Sequence, residues 1–384
     1  MKKAVVFGAG NIGRGLVGRI FHEAGYHVSF VDVNPALIEK LNATHAYPLY
    51  VTMGDHYDKM IITDVDAIDG RDIPAICAAV NESEIAATAI GVNVLPIIAR
   101  TIAAVIQERK EKGMGPFNFV LCENKINVHL TMKEYLKNLL DEETFAYAEN
   151  NIGFCQSSIG CMVPAPPQEL VEQDPLIICV ENYNKIYTDA GGAIGQLPAI
   201  PNLIAYEPFS YYINRKLFMH NMSHCVAAYW GYQKGYTYIW EAISDPAIYE
   251  TVEKSLHEVA QAMSYHYKTD KQELLFHGKE LMNRYANTLL GDTIARVGGD
   301  PVRKLARSDR LVGAALFCLE NGVNPNILIK TIPLGFTFRP EGDPSAKDIQ
   351  SFMAEHTLAE ALEKFCSLSQ EEPLYSLILK EIHG

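Results

Sequence analysis

Short β-branched runs alternate with helical patterns through the first half of the chain, and helical periodicity alone dominates the second. The apolar run Val5-Val6-Phe7, and residues 27–31, 85–89, 117–121 and 152–159, predict strands. Helical stretches at 35–42, 73–80 and 95–111 fall between them. Strand and helix in alternation mark a mostly parallel, doubly wound α/β sheet. Two alternating runs, 47–52 and 57–62, joined by Gly54-Asp55, predict a hairpin insertion. Further strands are expected at 176–181 and 183–188. The glycine- and proline-rich stretch 189–202 then breaks the pattern. We place the domain boundary there, at 192/193, with an α-helical domain over 193–384. Its helices are expected at 207–232, 246–267, 271–285, 310–320 and 325–332, with short ones after 348.

The turn after the first strand carries the first chemistry. Gly8-Ala9-Gly10-Asn11-Ile12-Gly13 supplies G-x-G-x-x-G between a strand and a helical pattern. In that setting the glycines allow a tight turn, close approach of a pyrophosphate and close helix packing, and the helix N-terminus offers free N–H groups. The second strand ends in Asp32, nineteen residues past Gly13. A carboxylate there accepts the ribose hydroxyls of NAD and repels the extra phosphate of NADP. The first domain therefore reads as a Rossmann domain with NAD as cofactor, held by Gly8, Gly10, Asn11, Ile12, Gly13 and Asp32. Gly91, past the strand at 85–89, and Asn124, past that at 117–121, line the crevice. Asn124 taken alone is equally a turn residue or a cap for the next helix.

Composition narrows the partner. Basic residues number 33 and acidic ones 46, a net charge of −13, which argues against nucleic acid or an anionic membrane. An anionic metabolite remains open if a local basic cluster overcomes that background. The eight cysteines lack any C-x-x-C and read as reduced thiols in a cytoplasmic protein. Cys and His never come at zinc-ligand spacing, so a metal-independent reaction is expected, with a side chain activating the alcohol. No apolar run of about 20 residues suggests a membrane span.

Within the run 207–232 stand Lys216, Asn221 and His224. At about 100° per residue, Asn221 lies about 140° and His224 about 80° round from Lys216. His220 shares that stripe. Spacing alone leaves two readings open, a catalytic face or the solvated side of an amphipathic helix. Oxidising an alcohol needs a base and donors for a partly anionic oxygen, and a lysine, an amide and an imidazole supply them. A lysine acts as base only when neutral, a form that burial favours.

Lys216-x-x-x-x-Asn221-x-x-His224, the glycine run through Arg14-Gly15, Cys122-Glu123-Asn124, and Arg303-Lys304 followed by Leu305-Ala306-Arg307-Ser308-Asp309-Arg310-Leu311 together resemble one family. It is the polyol-specific long-chain dehydrogenase/reductase, or mannitol dehydrogenase, family, and the resemblance covers essentially the whole chain. It implies a Rossmann domain followed by a helical one, and metal-independent hydride transfer to a nicotinamide. It also implies Lys216 as general base, Asn124 and Asn221 holding the alcohol oxygen, and His224 orienting the substrate or the lysine. His220 is expected to be structural. The implied reaction interconverts mannitol 1-phosphate and fructose 6-phosphate in a monomer or small homo-oligomer. Alternatives are a related polyol or sugar-acid (uronate) enzyme, or an NAD-binding homologue with impaired catalysis. A sugar or polyol phosphate would need cations, and Arg303, Lys304, Arg307 and Arg310 form the densest cluster, with Arg284 and Asn287 upstream. The chain departs from the family's Val-Asp-Arg at Ile159-Gly160-Cys161, where both charges are missing.

Overall fold

Strand β1 (Lys2–Phe7) is buried on both faces from Ala4 to Phe7, which is why its sequence is a continuous apolar run and not an alternating one. Around it is built the first of two units in this computed structural model, which describes residues 1–383. That unit spans Met1–Ile213 and the second begins at Asn214. The remaining strands are β2 (Tyr26–Asp32), β3 (Ala46–Thr52), β4 (Tyr57–Thr63), β5 (Val65–Asp69), β6 (Ile85–Thr88), β7 (Phe117–Leu121), β8 (Ile152–Ile159), β9 (Ile178–Glu181), β10 (Ile186–Asp189) and β11 (Leu203–Tyr206).

The main sheet runs β11-β10-β8-β7-β6-β1-β2-β5. All neighbours pair in parallel except β10, which is antiparallel to β8. Chain order reverses at β1, with β2 and β5 on one side and β6 to β8 on the other. The carboxyl ends of β1 and β6 therefore flank the switch point at which open α/β sheets hold ligands. Apolar layers cover both faces, with Leu16, Ile20, Phe30 and Tyr47 in one and Ile102, Ile106, Phe119 and Phe154 in the other.

The expected hairpin is present as β3 and β4, and β9 joins β3 in parallel to make a separate three-stranded sheet. The two successive strands expected at 176–188 thus part company, β9 to the small sheet and β10 to the large one. The glycine- and proline-rich stretch 189–202 does not end the first unit. It loops out and returns as β11, paired in parallel with β10. Four residues, Leu203-Ile204-Ala205-Tyr206, are too short a run to separate strand from helix by periodicity.

The second unit is helical, organised around Met222–Gln233. That helix is apolar nearly all round, with Met222, Cys225, Val226, Ala227, Ala228 and Tyr229 all buried, as befits a helix enclosed by others. Against it pack Ile239–Ser244, Pro246–Tyr267, Ile294–Gly298 and Asn326–Thr337. Among the described residues no helix is long and apolar enough to cross a membrane.

Candidate active site

The loop after β1 is shaped by what its glycines lack. A Cβ on Gly8, which sits at φ +98°, would meet the Ala89 carbonyl oxygen at 2.6 Å, and one on Gly13 would meet the Gly8 oxygen at 1.9 Å. A Cβ on Gly10 would meet nothing within 4 Å. The first and third glycines are thus required by backbone contact inside the protein, and the second keeps open space at the exposed edge of the turn. Asn11 is exposed beside it and Ile12 half-buried. The helix that follows opens in π-helical winding, Gly13–Gly18, and continues as α-helix Arg19–Glu23.

Asp32 closes the other side of the turn. Its Oδ2 accepts the Ala9 N–H at 2.9 Å, and its Oδ1 accepts those of Val33 and Asn34 at 2.8 and 3.0 Å. A carboxylate has about four lone-pair sites, so capacity remains for a ribose hydroxyl. Gly91, at φ +81° and with open space around it, follows β6. Arg14 is buried beneath the loop, its Nε donating to the Ala9 oxygen at 2.6 Å and its Nη1 to that of Leu176 at 2.5 Å. An open backbone edge, a helix start and a ribose-side carboxylate together fit a dinucleotide.

Asn124 is exposed just past β7. The residue before it, Glu123, is 4% exposed and accepts from Thr88 Oγ1 at 2.7 Å and from the Ile90 N–H at 3.2 Å. Burial pushes this carboxyl up, against the pull of those two hydrogen bonds. Glu123 so ties the ends of β6 and β7 together and fixes the segment that presents Asn124. The sequence motif Cys122-Glu123-Asn124 included it without a role; the available signal was an acid closing an apolar strand.

In the second unit the helix of Lys216 is not uniformly wound. Ser210–Asn214 is α-helical, Arg215–Asn221 is π-helical, and α-helix resumes at Met222. The i→i+5 bonding of a π segment takes more residues per turn. Asn221 is thereby brought nearer the face of Lys216 than the 140° or so of regular winding. Lys216, Asn221 and His224 are half-buried, whereas His220 is 8% exposed.

The imidazoles sit in a built environment. His224 stacks on Tyr285 with ring centroids 4.4 Å apart and planes 8° from parallel. The Tyr285 hydroxyl donates to the His220 carbonyl at 2.8 Å and lies 3.0 Å from Ser223 Oγ. Burial drives both imidazoles to the neutral form, and nearby cations act in the same direction. These are chiefly Arg284 for His220, and Arg296, Arg284, Arg310 and Lys304 for His224. Lys304 is 4% exposed, and burial brings its ammonium down to about 8.

The four predicted phosphate residues therefore divide. Lys304 and Arg310 stand close enough to act on His224, although Arg310 also bonds Asp309 through Nε at 2.7 Å. Arg303 is half-exposed and pairs with Asp300 at 2.7 Å. Arg307 forms a two-pronged pair with Glu372, at 3.0 and 2.8 Å, and donates to the Ser367 carbonyl. Arg284, expected upstream of the cluster, and Arg296, which was not expected, also act on His224 through their charges. Tyr285 and Asp292 also escaped sequence reasoning, since an aromatic ending a helix and an acid before a capping threonine read as ordinary helix punctuation.

At the family's missing charged pair, Cys161 is buried and the Met162 N–H donates to Glu181, itself 2% exposed. Among the described residues no group of three or more His, Cys, Asp or Glu is placed to hold a metal ion.

Comparison with known proteins shows the family of the chain. The mannitol dehydrogenase Rossmann domain matches residues 2–202 and the mannitol dehydrogenase C-terminal domain residues 209–383. A mannitol-1-phosphate 5-dehydrogenase of Brevibacillus brevis is 35% identical over 379 residues, 98% of this chain and 97% of its own length. One from Shouchella clausii is 34% identical over 381 residues, 99% of this chain and all of its own. Among solved structures, a D-sorbitol dehydrogenase in substrate-free form matches with a TM-score of 0.81 at 14% identity, over 98% of this chain and 91% of that one. The Pseudomonas fluorescens mannitol 2-dehydrogenase in ternary complex with NAD and D-mannitol gives 0.70 at 15%, over 100% and 91%. At such identities the likeness shows the fold. With both domains matched and full-length relatives above 30% identity, the chain belongs to the mannitol dehydrogenase family of oxidoreductases.

Proposed function

We propose that this protein is a metal-independent, NAD-dependent dehydrogenase that interconverts mannitol 1-phosphate and fructose 6-phosphate. The observation that carries the substrate assignment is the enclosed Lys304, 4% exposed, whose charge acts on His224 together with those of Arg296, Arg284 and Arg310, in a chain whose net charge is −13. Such local concentration against an acidic background favours an anion, and guanidinium groups suit phosphate by their two-pronged donors. The names of the two full-length relatives support the same substrate.

Gly8, Gly10, Asn11, Ile12, Gly13, Asp32 and Gly91 hold the cofactor, the open edge at Gly10 receiving its pyrophosphate. When bound, NAD supplies the hydride acceptor. Lys216 in its neutral form takes the proton from the substrate hydroxyl. Asn221 donates its amide N–H groups to the oxygen as it gains negative charge, and Asn124 is assigned the same task. His224 orients the substrate, and Lys304, Arg310, Arg284 and Arg296 draw in its phosphate. His220, enclosed and neutral, supports the helix.

A panel of polyol phosphates, free polyols and sugar acids, assayed with NAD by the absorbance of NADH, tests this reading. We expect kcat/KM for mannitol 1-phosphate to exceed that for free mannitol by at least about 100-fold, as loss of charge-assisted contacts implies. Equal turnover of both would remove the phosphate assignment. Cofactor binding with no turnover of any of them would remove the dehydrogenase.

A further inference from the structure

We propose that Asp292 is a positioning residue for His224, holding the imidazole as the Nε2–H tautomer and leaving Nδ1 as a hydrogen-bond acceptor for a hydroxyl of the substrate. The second half of this statement rests on the reading of His224 as a substrate contact. The first half stands on the placement of Asp292 beside a ring that burial and neighbouring cations keep neutral.

Asp292 follows Gly291, which turns the chain at φ +61°, and its carbonyl accepts the Ile239 N–H at 2.9 Å, anchoring the backbone there. Its Oδ2 lies 3.5 Å from His224 Nε2, and both atoms are buried without any hydrogen-bond partner. The other oxygen, Oδ1, takes the Arg296 guanidinium, which keeps the group a carboxylate despite burial that pushes it up. On the far side, Tyr285 lies flat against the ring and confines it to motion within its own plane.

A neutral imidazole has one proton and two nitrogens. With the proton on Nδ1, the Nε2 lone pair would face an ionised oxygen in a buried space, leaving two acceptors without a donor. With the proton on Nε2, the N–H points at Oδ2, and a small in-plane turn against Tyr285 shortens 3.5 Å to a hydrogen bond. The cations beside the ring can only donate. A polyol hydroxyl held among such donors has its own proton to place, and His224 Nδ1 is the acceptor that this tautomer supplies. Arg296, Asp292 and His224 therefore act in series, the first fixing the second and the second the third.

The tautomer can be read from histidine ring 15N spectra of the full-length enzyme, with His224 assigned by its loss in His224→Gln. We expect a protonated Nε2 and an unprotonated Nδ1 in the wild type. The opposite pattern overturns the inference, whether or not any variant folds. In Asp292→Asn, Arg296 retains the amide oxygen, so the NH₂ faces Nε2 and the proton moves to Nδ1; an unchanged tautomer in the folded variant likewise overturns it. The same variant should lose roughly 10- to 100-fold in kcat/KM, mostly through KM, because the lost contact is made in ground and transition states alike. If His224→Gln leaves KM unchanged, the substrate contact is refuted while the tautomer result stands by itself.

Discussion

The helix entered from the turn after β1 and the helix of Lys216 both include π-helical winding, at Gly13–Gly18 and Arg215–Asn221, yet the roles proposed for the two regions are of opposite kinds. In the turn, function lies in missing side chains, since a Cβ at Gly8 or Gly13 would strike backbone and one at Gly10 would occupy open space. In the helix the proposed roles belong to side chains, Lys216, Asn221 and His224, whose mutual placement depends on how the helix is wound. Backbone constraints restrict the residue to glycine and so leave a mark in sequence. Helix winding restricts no single residue type and leaves none.

Lys216→Ala should separate the two most sharply. Loss of the general base predicts a fall in kcat of about 10²–10⁴-fold near neutral pH. Affinity for NAD, followed by titration of the cofactor, should remain within a few-fold of wild type. A comparable fall in both would mean that the helix serves cofactor binding, and the division of labour would collapse.

Glycine substitutions sharpen the other side. Gly13→Ala places a methyl 1.9 Å from the Gly8 oxygen and should cost about 1–3 kcal/mol of stability or more through overpacking of rigid backbone, with NAD binding lost as the turn deforms. Gly10→Ala meets nothing in the protein, so its melting temperature should match wild type while NAD affinity falls about tenfold, the methyl lying where pyrophosphate approaches. Equal melting temperatures for both variants would show that the turn yields to Gly13→Ala.

This contrast also explains how much of the molecule could be read before the fold was known. The parallel sheet, the hairpin at β3 and β4, and the turn with Asp32 were legible because alternation, buried apolar runs and obligatory glycines are local properties. Strand β11 was not, because four residues do not establish a period, and the expected boundary at 192/193 therefore fell short of the unit's end at Ile213. Arg303 and Lys304 adjoin in sequence, yet one meets Asp300 at the surface and the other is enclosed. That difference depends on which side of a five-residue helix, Pro301–Leu305, faces the interior. Arg284 acts on His224 from one helix, and Asp292 with Arg296, four residues apart, from the segment after it, a convergence on the helix of Lys216 and His224 that no spacing rule encodes.

The cost of the second region is tested at Lys304. The residue is 4% exposed, and burial above all brings its ammonium down from an ordinary 10.5 to about 8. Between those two pH values the unfolded chain binds more protons than the folded one, so stability rises with pH across that window. Below about 8 the full penalty of the enclosed charge is present. Lys304→Met, which keeps much of the stem and removes the charge, should therefore raise the melting temperature at pH 7, by at most about 3 kcal/mol in stability. The advantage should fade between pH 8 and 10.5. The same variant should raise KM for a polyol phosphate and leave KM for a free polyol unchanged, and wild-type KM for the phosphate should climb above pH 8 as the cation is lost. A variant less stable at pH 7 would show that the ammonium is satisfied where it lies. Greater stability together with poorer phosphate binding would show the helical unit retaining a destabilising charge for its substrate, where the glycine turn gains its ligand by leaving space.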